Sequence, residues 1–167
     1  MKGIKAFTTF TTFQLTTLVL FRMLIGWQIL YEGISKLLIP NWSSAVFLRE
    51  SQWILSGFSN WIISHDGVLQ VVDFMNTWGL IAIGLGLILG LFTRVAAIAG
   101  AALVFVYYLN SPPLVGLEYS LPAEGNCLIF NKTLIEAVGL LILVVFPTSS
   151  IFGLDMFISR FTKSKNK

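Results

Sequence analysis

The stretch that decides the fold is Asp73-FMNTWGLIAIGLGLILGLFT-Arg94, in which 20 uncharged residues lie between two charged ones. At ~1.5 Å per residue a helix of that length spans ~30 Å, the thickness of a hydrocarbon core. A second run, of 23 uncharged residues, follows between Arg94 and Glu118. Apolar residues make up 56 % of the 167 and charged residues 11 %, against about 25 % charged in soluble domains. So little charge cannot coat a water-exposed surface, and the chain reads as an integral membrane protein.

Outward from this stretch, four spans fit, at about 15–38, 74–92, 95–109 and 128–146. Each ends at a break: Pro40, the Thr93-Arg94 turn, Asn110-Ser111-Pro112-Pro113, and Pro147. Proline has no N–H and pushes the residue before it out of the helical region. The fold expected is an all-α integral membrane protein, a four-transmembrane-helix bundle forming one membrane domain over 1–167. Segment 41–70 is too polar to span but carries Trp42, Trp53 and Trp61. Phe47, Ile54, Phe58, Trp61 and Ile62 share one helical face, which predicts one or two interfacial helices on the outer surface. Residues 110–127 form a long outer loop. Ala82, Gly86 and Gly90, and Ala96 with Gly100, recur at steps of four and predict closely packed helix faces.

Basic residues orient the bundle. One side holds Lys2, Lys5, Arg94, Arg160, Lys163, Lys165 and Lys167, the other little more than Arg49 and Lys132. The first side is the cytoplasmic one, with both termini inside and 155–167 a basic cytoplasmic tail. That tail accounts for the +3 charge as a topology signal, not as a nucleic-acid surface. One cysteine, Cys127, and one histidine, His65, exclude an intrachain disulfide, a CxxC redox pair, bis-histidine haem and the usual multi-histidine metal sites. No intrinsic metal is expected.

Ionisable groups inside spans cost about 2.5–3.5 kcal/mol on insertion scales and are functional candidates by default. Arg22, Gly26, Ile29, Gly33 and Lys36 share one face of the first span, and Glu32 lies about 80° from Arg22 on the wheel. On the fourth span Lys132 and Glu136 are one turn apart. Glu32, Lys36, Lys132 and Glu136 share the outer third of the bilayer and sum to zero charge. This reading expects Glu32 and Lys36 to be buried in the bundle and to meet the fourth span near Glu136. Arg22 and Lys132 have a competing reading, as snorkelling residues that reach the interface.

An Arg-containing first span with Tyr31-Glu32-Gly33-Ile34-Ser35-Lys36, and the late segment from Leu121 through Asn131-Lys132 to Glu136, resemble the bacterial DoxX/DoxD family. The late segment is especially similar to DoxD, the small membrane subunit of thiosulfate:quinone oxidoreductase. The resemblance implies a four-helix protein of the bacterial inner membrane with quinone as cofactor, and a DoxA-like second redox subunit as partner beside the lipid bilayer. A homo-oligomer is a further partner considered; nucleic acid is not. Reducing a quinone takes two electrons and two protons, so Glu32 and Glu136 are the candidate catalytic proton relays. Arg22, Lys36, Lys132 and Asn131 are the candidate quinone- or substrate-binding residues. Two other functions fit the same residues: a non-catalytic membrane subunit that recruits or stabilises a partner enzyme, and a small-solute or proton pathway.

Overall fold

The computed structural model describes residues 11–114, 117, 119, 128–146, 148 and 152–155. Six helices are described: α1 (Thr12–Leu38), α2 (Ala45–Arg49), α3 (Ser56–Ile63), α4 (Asp66–Leu89), α5 (Thr93–Asn110) and α6 (Lys132–Val145). Among the described residues, α1, α4 and α5 are long and apolar enough to cross a membrane.

Local chemistry sets the helix ends. α1 opens on a capping box, in which the Thr11 hydroxyl accepts from the Gln14 N–H and the Gln14 side chain accepts from the Thr11 N–H. It closes on Ile39, which takes the extended backbone favoured before a proline. α4 starts at Asp66 rather than near 74, so the polar end of segment 41–70 is its first turn, with an acidic side chain at the positive end of the helix. It stops at Gly90, whose φ of 67° suits glycine and whose N–H bonds to the Gly86 carbonyl. α6 has 14 residues, or about 21 Å of rise, short of a ~30 Å crossing. Residues 115, 116, 118 and 120–127 of the outer loop 110–127, and the tail 155–167 beyond Asp155, lie outside the described residues.

The four long helices surround one core. α1 packs along α4, α5 along α6, α4 meets α5, and α6 touches α1. Ile25 and Ile29, Leu80, Ile83 and Leu87, Ala97, Ala101 and Val104, and Ala137, Leu140 and Leu143 fill the interior. At the α1–α4 crossing, a Cβ on Gly84 would lie 2.6 Å from the Leu30 backbone nitrogen. Of the expected Ala82–Gly86–Gly90 face, Gly86 packs closely on α5, where its Cβ would lie 3.1 Å from that of Ala96, but the α1–α4 crossing does not use it. Ala82 is exposed, Gly90 is the helix cap, and the close approach runs along Leu80, Gly84 and Leu87, with Gly26 and Gly33 opposite.

Outward, Leu24, Trp27, Phe74, Trp78, Ile98, Phe105, Ile135 and Val145 are exposed. Large side chains all around a bundle are a lipid-facing surface, not a water-facing one. Segment 41–70 holds two short helices instead of one apolar face. Ile54 and Phe58 are 68 % and 58 % exposed, while Ile62, on the same helix as Phe58, is buried.

Candidate functional site: a clamped ammonium beside an apolar cavity

Gln28, Glu32 and Lys36 follow one another at steps of four, a single stripe along α1. The Lys36 ammonium donates to Glu32 Oε1 at 2.9 Å, to Asn76 Oδ1 on α4 at 2.8 Å and to Tyr107 Oη on α5 at 3.2 Å. An ammonium has three N–H donors, so all three are used. The Tyr107 hydroxyl donates in turn to Asn76 Oδ1 at 2.9 Å. The Trp42 and Tyr107 ring centroids lie 5.0 and 5.2 Å from the charge, inside the range of attraction between a cation and a π face. The Lys36 side chain is 12 % exposed and that of Glu32 42 %. One turn earlier, Gln28 Nε2 donates to Glu136 Oε2 on α6 at 2.9 Å. Glu32 and Glu136 lie within electrostatic reach of each other.

Asn76 and Tyr107 also form part of the wall of a cavity of about 320 Å³ between the α2–α3 pair and α4–α5. Its lining is otherwise mostly apolar: Phe47, Leu55, Phe58, Val72 and Val106 are among the residues. This volume falls in the ordinary range for small-molecule sites. Two polar pins hold the short helices over it. Asp73 Oδ1 accepts from both the backbone N–H and the hydroxyl of Ser44. Asn110, 1 % exposed, donates to the Phe47 carbonyl at 2.8 Å and accepts from the Ser59 hydroxyl at 3.2 Å.

The structure therefore brings together Glu32, Lys36 and Glu136 but arranges them differently from the expectation. Lys36 turns to α4 and α5, and the residue that meets Glu136 is Gln28. Glu32 is half-exposed between the two. Arg22 is elsewhere. Ten residues before Glu32, it sits about 15 Å away along the helix axis. There it is buried, donating to the Thr148 hydroxyl at 3.1 Å and the Phe152 carbonyl at 2.9 Å. A shared sector on a helical wheel fixes direction, not depth. Arg22 ties the segment after α6 to α1, and Asp155 ties the same segment to the α4–α5 turn, capping α5 by accepting from the Phe92 N–H at 2.8 Å. Asn131 is used as the N-cap of α6, accepting from the Leu134 N–H at 2.9 Å. Lys132 is exposed. His65 is exposed at the start of α4, its Nδ1 2.8 Å from the Trp61 carbonyl oxygen.

Gln28, Trp42, Asn76 and Tyr107 carry no charge and so do not stand out as ionisable groups within the spans. The signal for three of them was present. Gln28 continues the Glu32–Lys36 stripe, and Asn76 and Tyr107 are polar residues inside apolar runs.

Three apolar helices of crossing length with an ionisable cluster between them, among the described residues, define a multi-pass helical membrane protein. The DoxX family model matches residues 17–110, more than half of the chain, and the chain belongs to the DoxX family. The match runs from α1 to the end of α5, so it contains Glu32, Lys36, Asn76 and Tyr107 and ends before Glu136. Comparison with curated proteins and with solved structures finds no match.

Proposed function

We propose that this DoxX protein is a quinone-linked redox subunit of the bacterial cytoplasmic membrane, similar to the DoxD subunit of thiosulfate:quinone oxidoreductase. The observation that carries the reading is the Lys36–Glu32–Asn76–Tyr107 cluster at the wall of an apolar cavity. A quinone is a flat apolar ring with two carbonyl oxygens, and that combination of surfaces suits it. Reduction to the quinol takes up two electrons and two protons. Glu32, half-exposed, takes protons from outside the bundle, and Glu136, tied to Gln28, extends the relay across to α6. The electrons come from a donor outside this chain. Oxidation of two thiosulfates to one tetrathionate releases two electrons and no protons, which leaves the protons to the carboxylates.

In this reading α6 and its flanks complete a fourth crossing with both termini cytoplasmic. Two contacts support it: the Tyr108 hydroxyl at the end of α5 donates to the Ile129 carbonyl, and Thr148 meets Arg22 near the α4–α5 turn. On this reading the chain from Ile129 to Thr148 runs the depth that α5 covers.

The test is extraction of purified protein for lipid-soluble redox compounds, followed by thiosulfate-dependent quinone reduction in membranes with and without the chain. Co-purified quinone and chain-dependent reduction are expected. A preparation without quinone, inactive, and tightly bound to another protein would replace this reading with that of a non-catalytic recruiting subunit.

A further inference from the structure

The Lys36 contact decides which way the Asn76 amide faces. An ammonium only donates, so the atom 2.8 Å from Nζ must be the amide oxygen. Tyr107 Oη, which already accepts from Lys36, gives its proton to the same oxygen. Both neighbours therefore demand oxygen, and the NH₂ group is driven to the other side. It makes no hydrogen bond among the described residues. Asn76 is itself a wall residue of the 320 Å³ cavity. The Lys36 ammonium, by contrast, has no N–H left to offer a ligand.

We propose that a quinone ring occupies the cavity between α2–α3 and α4–α5, with the Asn76 amide nitrogen as the donor to one ring carbonyl. Lys36 is a positioning residue that holds the amide in its donating orientation and does not touch the ring. The assignment rests on the quinone reading above and moves ligand contact away from Arg22, Lys36, Lys132 and Asn131. Those residues are clamped, saturated, exposed or spent on a helix cap. Phe58, Met75 and Val106, exposed at the cavity's rim, give the ring an apolar way in from the lipid.

The experiment is calorimetric titration of the purified full chain in detergent, against empty micelles, with two probes. One is a benzoquinone with a ten-carbon tail; the other is decylbenzene, the same shape without acceptor oxygens. Wild type is expected to prefer the quinone by about tenfold, the value of one hydrogen bond in a dry site. Asn76→Asp keeps an oxygen for Lys36 and Tyr107 but removes the donor, and the preference should vanish. Should that variant misfold, Val72→Phe, which fills the cavity one turn of α4 before Asn76, should weaken both probes. Lys36→Met should reduce the preference in wild type and have no further effect in an Asn76→Leu background, a non-additivity that a general loss of stability does not produce. Quinone preference that survives Asn76→Asp or Asn76→Leu in folded protein overturns the Asn76 assignment while the quinone reading stands. Unchanged binding in Val72→Phe overturns the location. Equal affinity of wild type for both probes overturns the hydrogen bond, and binding of neither, with no quinone in the extract, removes the quinone reading as well.

Discussion

Gly84→Ala adds one methyl group and should be the most damaging small substitution in the bundle. Its Cβ would stand 2.6 Å from the Leu30 nitrogen and 2.7 Å from the Leu30 Cα. Ordinary contact begins near 3.4 Å, so α1 and α4 must separate by roughly 0.8 Å at their crossing. Backbone atoms cannot rotate away as a side-chain tip can. Overpacking of this kind costs about 1–3 kcal/mol and sometimes more, and the upper end applies where the atoms met are the Leu30 N, Cα and Cβ, none of which a rotamer change can move. The gain in helix propensity from Gly to Ala, about 1 kcal/mol, offsets only part. Gly79, five residues earlier in α4, is the internal control: a Cβ there meets nothing within 4 Å. Gly79→Ala should be neutral or stabilise by up to about 1 kcal/mol. Gly26→Ala, with first contacts at 3.0 Å on side chains of Leu87 and Ile88, should fall between them. Unfolding followed by far-UV circular dichroism against the mole fraction of SDS in mixed micelles measures all three. Equal midpoints for the Gly84 and Gly79 variants would refute the close α1–α4 crossing.

Three further outcomes follow from the site. Glu32→Gln should lower stability by only about 1 kcal/mol, because a half-exposed ion pair is worth little and Lys36 keeps Asn76 and Tyr107; quinone-linked turnover should nonetheless fall at least tenfold, and a stable, fully active variant would end the proton-relay role of Glu32. Arg22→Met strips the donor from the Thr148 hydroxyl and the Phe152 carbonyl and should cost about 2–3 kcal/mol, with faster proteolysis after α6 and unchanged quinone retention per folded molecule. In a Cys127→Ser background, Ser64→Cys should react with an impermeant maleimide on intact cells and Ser164→Cys only after lysis; labelling of both before lysis contradicts the proposed orientation.

The site was legible in part. Glu32, Lys36 and Glu136 stand out because a charge inside an apolar run is visible without any partner. What they bind is not. Gln28 and Glu136 are 108 positions apart, and Lys36 and Tyr107 71 apart. No local pattern encodes such pairings. Asn131, expected as a ligand-binding residue, serves as the N-cap of α6, a role that its placement before an apolar helical run also signals. Arg22 shares a helical sector with Lys36 but not its depth, since ten residues of axial rise separate it from Glu32.

By itself the sequence determined the membrane class, the approximate extents of α1 and α5, the end of α4 and the buried stripe Arg22–Gly26–Ile29–Gly33 on α1. These depend on desolvation and on a 3.6-residue period, both properties of a single segment. Only the tertiary structure decided that Gly84, not Ala82, carries the helix crossing and that Lys36 spends every donor inside the bundle. Those outcomes depend on which backbone lies opposite and at what depth, which only the packing of one helix on another specifies.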